Sequence, residues 1–423
     1  MPTLSEDLAF RGLIHQITDP DLPKRFDQPG LTVYAGFDPS ADSLHVGNLM
    51  QLCTLRRFQE AGHRTISLAG GGTGMIGDPG GKQDERQLLD LPTIEGYLEG
   101  IRPQLGQFLD LQSGSALLLN NADWLGKLST LEYLRDVGKH FTVNQMVAKE
   151  SVKSRFDRPD QGISYTEFSY MLLQAYDFLR LHVDHGCDVQ FGGSDQWGNI
   201  TMGVDYIRRV CADEVWGFTT PLIVKADGTK YGKTESGTVW LDPARTSPFA
   251  MYQFFLNTPD EQVMELIKFL TFLEHDRILE LEQLTADEPQ RREGPRALAR
   301  AVTGFVHGEA EVAKCEEASA ALFGEEIAGL SEDMLLAVTE DAPSTTIPRI
   351  ELLQAATLTD LLERTGLVTS RKKARQTVEQ GGTYVNNVRQ TDDTRQFTSD
   401  DLLHDRYLVL RKGRKEVHIV KAI

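Results

Sequence analysis

Leu31–Ala61, LTVYAGFDPSADSLHVGNLMQLCTLRRFQEA, decides the fold. Leu31–Gly36 is a short apolar run ending in glycine, and Leu49–Ala61 has apolar residues at helical spacing. Strand, Gly-containing turn, helix is the doubly wound α/β pattern, whose ligands lie at the carboxyl ends of the strands. The pattern recurs at Thr65–Ala69 before Gly70–Gly72, at Ser115–Asn120, and at Val189–Phe191 before Gly192–Gly193. A largely parallel sheet over about the first 220 residues follows.

The rest of the chain changes character. From Pro243 to about Leu330 the strand signals stop, and helical periodicity appears in Phe249–Phe255, Val263–Phe272 and Ala297–Val306. Asp341–Pro348 (DAPSTTIP) reads as a linker. Beyond it come a helical stretch (Leu352–Leu362), a basic helix (Ser370–Val378) and short strands around Thr383–Val388 and Tyr407–Leu410. The expected division is 1–220, 221–340 and 345–423.

At 423 residues, 40% hydrophobic and 25% charged, the chain has room for two or three cores. No apolar run reaches the length of a membrane span, and MPTLSEDLAF lacks a basic region followed by an apolar one. Cys53, Cys187, Cys211 and Cys315 form no metal-binding spacing, so a reducing cytoplasm and no structural metal are expected. The net charge of −18 argues against nucleic acid when read as a sum. Ser370–Ile423, however, carries 12 Lys and Arg against 7 Asp and Glu, a net of +5, so the remainder holds −23. Local RNA contact by a basic tail on an acidic body is one reading, and a solvated mixed-charge surface is the other. Arg371, Lys372, Lys373 and Arg375 are the candidates for RNA contact.

Several motifs carry chemistry. His45, Gly47 and Asn48 open a helix, where the dipole favours phosphate, and Gly47 lets a nucleotide lie against the backbone. Some 185 positions on, KYGKT places Lys230 and Lys233 in a segment rich in turn formers. Two ammonium groups there could close over a triphosphate and hold charge as it develops. Together the two segments suit a site that displaces pyrophosphate from ATP. Taken singly, His45 reads as a packing residue and the lysines as solvated ones. Tyr170, Gln174 and Asp177 share one face of an apolar helix, as a pocket for a small polar ligand or as a hydrogen-bonded stripe. GGSDQWGN (Gly192–Asn199) follows a strand and reads as a sugar or phosphate contact or as a capped turn. Gly72, Gly74 and Gly77 match G-x-G-x-x-G, but Leu91–Leu105 looks helical where a dinucleotide site needs a second strand. A tight glycine turn that lets the backbone approach a ligand is the better reading.

YAGFDPSADSLHVGN, GGTGMIGDPGGK, NNADWLG, GISYTEFSYMLLQAYDF, GGSDQWGN and KYGKT, in this order, resemble the bacterial tyrosyl-tRNA synthetases over essentially the whole chain. The resemblance implies a class I synthetase: a Rossmann-like catalytic domain, an α-helical anticodon-recognising domain and a small α+β RNA-binding domain. It implies activation of L-tyrosine by ATP, brought with Mg2+, and transfer to tRNA(Tyr), by a cytoplasmic homodimer with no tightly bound metal. Tyr34 and Asp177 would hold the substrate's phenolic hydroxyl, and Asp78, Tyr170 and Gln174 its ammonium group. Asp38 and Gln196 would position the carboxylate and α-phosphate, and Gly192 and Asp195 the ribose. Ser40 and His45 would bind the outgoing phosphates, with Lys82, Arg86, Lys230 and Lys233 stabilising pyrophosphate.

The chain departs from the family's pattern at Asn48, where a second histidine is usual, and at Ala35 and Gln51, where relatives often carry Cys and Thr. Its lysine loop keeps both lysines without the usual Met-Ser pair. These changes are expected to tune ATP affinity. An Asn amide donates a hydrogen bond much as an imidazole N–H does. Rival readings are a tryptophanyl-type synthetase, a non-catalytic RNA-binding relative and a small adenylyltransferase. Tyr34 with Asp177 speaks against the first, the intact His45, Asp78, Lys230 and Lys233 against the second, and the tail against the third.

Overall fold

A computed structural model of the chain describes residues 2–78, 89–149, 152–153, 162–224, 231–234, 237–323, 327–339, 342–413 and 416–423. The chain forms two compact units, 1–245 with 258–301, and 246–257 with 302–423.

The first unit is built on six strands: β1 (Gln16–Ile17), β2 (Thr32–Phe37), β3 (Arg64–Ala69), β4 (Ala116–Asn120), β5 (Val189–Gly193) and β6 (Trp216–Thr220). Their order is β1-β6-β5-β2-β3-β4, parallel except where β1 runs against β6. The chain leaves β2 for β3 on one side and reaches β5 on the other, so the strand order reverses beside β2, where this architecture binds ligands. β2 pairs with β3 over six residues but with β5 over two, Val33 opposite Val189 and Tyr34 opposite Gln190. Beyond Tyr34, β2 and β5 part.

Alternation sends side chains to both faces. Tyr34, Ile66 and Leu68 pack with Met171, Phe178, Met202 and Tyr206 from the helices Tyr165–His185 and Trp197–Cys211. Phe191 and Phe218 stack with centroids 5.0 Å apart, and Phe58 of the Leu49–Glu60 helix packs on both. A buried polar knot ties the first helix, Leu4–Arg11, to this unit. Asp7 accepts from Arg11 Nε at 2.7 Å and pairs with Arg57 Nε at 3.2 Å, and Arg11 also donates to the carbonyls of Thr271 and Leu273.

The sequence reading missed β1 and β6. β1 is two residues long, and WGFTT in β6 is buried on both faces, so it shows no alternation. Gly217 is required there, because a Cβ would lie 2.2 Å from Ile200 Cγ2.

β7 (Lys233–Thr234) and β8 (Gly237–Thr238) form a small antiparallel ribbon after these six strands. In the second unit, β9 (Ser344–Ile347), β10 (Thr383–Val385), β11 (Val388–Gln390), β12 (Tyr407–Lys412) and β13 (Glu416–Ala422) form a sheet ordered β11-β10-β12-β13-β9. Leu361, Leu362, Ala374 and Val378, from the helices Leu358–Arg364 and Arg371–Glu379, pack with Val385, Leu408 and Leu410. The linker expectation is corrected here. Ser344–Ile347 runs parallel to β13 with Ile347 fully buried, because Thr345, Thr346 and Ile347 are β-branched and suit a strand despite the flanking prolines.

Candidate functional site

The fork between β2 and β5 gathers most of the candidate residues that the structure describes. Tyr34 is 1% exposed, and its hydroxyl has no hydrogen-bond partner among the described residues. Its ring lies 5.3 Å from that of Phe178. Burial lifts the phenol well above its ordinary pKa, and the nearby Asp177 carboxylate adds to the rise. Asp177, on the Tyr165–His185 helix, accepts from Trp124 Nε1 at 2.7 Å and from Asn121 Nδ2 at 2.9 Å. Burial pushes its carboxyl up to about 7, although those two donors pull the other way.

Asn121 connects this pair to the strand end. Its Nδ2 also donates to Thr73 Oγ1 at 2.9 Å, and its Oδ1 accepts from Gly72 N at 2.7 Å. Thr73 Oγ1 donates to Asp38 Oδ1 at 3.0 Å, and Tyr170 OH to Asp38 Oδ2 at 3.0 Å. A polar chain thus runs from Asp177 through Asn121, Thr73 and Asp38 to Tyr170. A second cluster faces it. Asn199 Nδ2 donates to Gln174 Oε1 at 3.0 Å and to Gln196 Oε1 at 3.1 Å, while Gln196 Nε2 donates to Asp78 Oδ2 at 2.6 Å. The helical stripe therefore supplies Tyr170 and Asp177 to the first network and Gln174 to the second.

Thr73, Asn121, Trp124 and Asn199 were absent from the sequence candidates. The available signal was position: Asn121 and Trp124 follow the carboxyl end of β4, and Asn199 follows that of β5. A Cβ on Gly70 would sit 2.1 Å from Asp38 Oδ1, and one on Gly71 2.3 Å from Asn120 Oδ1. These glycines admit the protein's own polar side chains.

Gly192 is the next-to-last residue of β5, and Asp195 and Gln196 lie in the helical turn Ser194–Gln196. Ser40 is exposed in the loop leaving β2, its N–H bonded to the Asp38 carbonyl at 3.0 Å.

The HVGN segment forms a short 3₁₀ turn, Val46–Asn48, that leads into the Leu49–Glu60 helix. His45 Nδ1 accepts from Gly47 N at 3.1 Å, which places the proton of a neutral ring on Nε2, pointing away from the backbone. His45 N donates to Asn48 Oδ1 at 3.0 Å, so the amide oxygen is the capping atom and Nδ2 remains as a donor. A Cβ on Gly47 would lie 2.8 Å from His45 Cε1.

The same rim meets the lysine segment. Val46 N donates to Val239 O at 3.1 Å, Leu241 N to Leu44 O at 2.8 Å, and Val239 N to Gly232 O at 3.0 Å. Gly232 has φ of 88°, and a Cβ there would be 2.6 Å from Val46 Cγ2. The two segments thus share one edge of the site. Lys233 is placed there by its backbone alone, in β7. Lys82, Arg86 and Lys230 lie outside the described residues.

In the second unit the basic helix is divided in its pairing. Arg371 meets Asp360 at 2.9 Å and Glu363 at 3.2 Å, and Arg375 meets Asp393 at 3.2 Å. Lys372 and Lys373 are exposed, with no carboxylate partner among the described residues.

Residues 27–324 match the family described as tRNA synthetases class I (W and Y), and residues 336–420 match the tyrosine–tRNA ligase SYY-like C-terminal domain. A tyrosine–tRNA ligase of Roseiflexus castenholzii is 51% identical over 426 residues, with 100% of each chain covered. One from Bacillus caldotenax is 47% identical over 427 residues, with 99% of each covered. The crystal structure of a C-terminally truncated Aspergillus nidulans mitochondrial tyrosyl-tRNA synthetase is 32% identical with a TM-score of 0.68, covering 76% of this chain and 95% of that one.

Proposed function

The chain belongs to the class I tyrosine–tRNA ligases, and on that premise we propose that the fork between β2 and β5 is where it binds and activates tyrosine. The enzyme activates L-tyrosine with ATP and charges tRNA with it. The observation that carries the assignment of the pocket is the buried, unpartnered hydroxyl of Tyr34 beside the Asp177 carboxylate. A substrate phenol fits between them, accepting from Tyr34 and donating to Asp177. Phenylalanine leaves the Tyr34 hydroxyl without an acceptor and gives Asp177 no donor beyond Trp124 and Asn121, so it forgoes both bonds that tyrosine gains.

In the first step a tyrosine carboxylate oxygen attacks the α-phosphorus of ATP, the bond to the β-phosphate oxygen breaks, and pyrophosphate leaves. The carboxylate is already ionised at neutral pH, so no general base is needed. The work left is orientation and charge stabilisation. Asp78, Tyr170 and Gln174 hold the ammonium group. Asp38 and Gln196 set the carboxylate and α-phosphate, and Gly192 and Asp195 the ribose. Ser40, Gly47, His45 through its Nε2–H, and Asn48 through Nδ2 face the leaving phosphates. Lys82, Arg86, Lys230 and Lys233 supply cations to the pyrophosphate, and Mg2+ arrives on the phosphates of ATP. In the second step a ribose hydroxyl of the tRNA's terminal adenosine attacks the anhydride carbonyl, and AMP leaves.

Residues 345–423 contact tRNA(Tyr), with Lys372 and Lys373 the readiest cations and Arg371 and Arg375 already paired within the fold. The enzyme works as a cytoplasmic homodimer. Support for two copies comes from the exposed apolar side chains Leu131, Leu134, Val143 and Tyr165, and for the compartment from four free cysteines. No helix among the described residues is long and apolar enough to cross a membrane.

Pyrophosphate exchange measured with each of the twenty amino acids tests the pocket, and tyrosine should stand far above the rest. Exchange with tryptophan alone, or with none, sinks the reading. A chain ending at residue 342, which removes the whole β9–β13 sheet, should exchange normally and charge tRNA poorly.

A further inference from the structure

The second unit holds a buried guanidinium that meets no carboxylate among the described residues. Arg411, in β12, is 7% exposed, yet it makes no hydrogen bond or ion pair with any described residue, and its Nε is buried without a partner. Charge withdrawn from water and left unpaired is expensive. The group lying against it is the ring of Tyr384, with the guanidinium carbon 4.2 Å from the centroid. Strand register explains the contact. Tyr384 of β10 stands directly opposite Arg411 of β12 on one side and opposite Arg389 of β11 on the other. Directly opposed residues share a face, so Arg389, Tyr384 and Arg411 form a cross-strand row, the two arginine backbones about 10 Å apart on either side of the tyrosine.

The row is held in place. Arg389 Nε donates to the Gly381 carbonyl at 2.8 Å and Nη2 to the Gln380 carbonyl at 3.3 Å, at the carboxyl end of the Arg371–Glu379 helix. Gly381 makes room for this, since a Cβ there would lie 2.0 Å from Arg389 Nη2. Arg389 is exposed and Tyr384 only half-buried, so the row reaches solvent. Arg411 lies against the Tyr384 ring, which is only partly withdrawn from solvent.

We propose that Arg389, Tyr384 and Arg411 form a nucleotide subsite for RNA, in which an unpaired base stacks on Tyr384, a flanking phosphate lies on the exposed Arg389, and the buried Arg411 holds the ring in place from behind. An aromatic ring between cations is what single-stranded nucleic acid requires: stacking that tolerates any base, and charge that follows the backbone. The net +5 of Ser370–Ile423 is carried by its two ends, around 371–375 and 411–421, and favours RNA, whose charge repeats along its backbone, over an acidic peptide. The subsite rests on the reading of this region as RNA-binding. It adds a base-reading platform at a place separate in sequence from Lys372 and Lys373.

Filter binding of tyrosine tRNA to the full-length enzyme, over a range of salt concentrations, tests it. Tyr384→Leu should weaken binding about tenfold at every salt concentration with an unchanged salt slope, since it removes stacking and no charge. Tyr384→Phe should bind as the parent does. Arg389→Gln should weaken binding and lower the salt slope by about one. Pyrophosphate exchange should be unaltered throughout. Tyr384→Trp, which keeps an aromatic ring, should show tryptophan fluorescence quenched by tRNA beyond that of the parent enzyme. Normal binding by Tyr384→Leu, or no added quenching in Tyr384→Trp, overturns the subsite. If the double variant Lys372→Gln, Lys373→Gln is also unimpaired, the RNA-binding reading of the region falls with it.

Discussion

Replacing Tyr34 by phenylalanine removes one oxygen from a place where no described residue bonds to it. A buried hydroxyl without a partner costs about 1–3 kcal/mol, and phenylalanine keeps the ring that packs on Phe178. Tyr34→Phe should therefore leave the free enzyme as stable as the parent, or more stable by about 1 kcal/mol. The tyrosine complex, by contrast, loses a hydrogen bond between neutral groups, about 0.5–1.5 kcal/mol, or roughly 2- to 13-fold in kcat/KM. Phenylalanine never made that bond, so its activation should not change. Discrimination between the two amino acids then narrows by the same factor. Urea denaturation supplies the first quantity, and pyrophosphate exchange with tyrosine and phenylalanine the second. A variant less stable by more than about 1 kcal/mol shows that the hydroxyl has a partner in the free protein. Parallel losses for both amino acids show that Tyr34 does not meet the phenol.

Asp177 and Asn48 give two further tests. With the Asp177 carboxyl raised to about 7 by burial, against an ordinary value of 3.8, kcat/KM for tyrosine should climb as pH rises through about 7 and then level. Between about pH 4 and 7 the folded state binds the proton that the unfolded state releases, so this group costs stability as pH rises. Asp177→Asn should flatten the activity profile, and its stability relative to the parent should improve from pH 4 to pH 8; a constant difference refutes the shift. For Asn48, Asp retains the oxygen that caps His45 N but replaces the Nδ2 donor with negative charge. Asn48→Asp should keep thermal stability while losing exchange activity through a higher KM for ATP, and Asn48→Ala should lose about 1 kcal/mol of stability. Equal ATP kinetics in Asn48→Asp and the parent would remove Asn48 from the phosphate site.

Much of this was legible in the chain. Strand, turn and helix around HVGN were evident because β2 is apolar over its length and the helix behind it has a clear period. The stripe at Tyr170, Gln174 and Asp177 was evident because polar residues interrupt an apolar helix. What escaped notice depended on partners far away in sequence. Thr73 and Asn121 look like ordinary turn residues until the sheet places them between Asp38 and Asp177. β6 hides because both its faces are covered, and Ser344–Ile347 hides because prolines flank it. Glycine was informative about position. Gly70 and Gly71 mark close approach, and the atoms that approach belong to Asp38 and Asn120.

The parting of β2 and β5 after Tyr34 has an evolutionary consequence. From Ala35 to Phe37 on one strand, and from Phe191 to Gly193 on the other, the facing edges carry main-chain groups with no strand across from them. A ligand seated in the fork can bond to those groups, and no substitution deletes a peptide amide or carbonyl. Side chains around the fork are therefore free to drift, as Ala35 illustrates, while the main-chain part of the grip persists. Changes of substrate preference should accumulate in Tyr34, Asp177 and their neighbours before they erode the hold on whatever parts of the ligand lie along the bare strand edges.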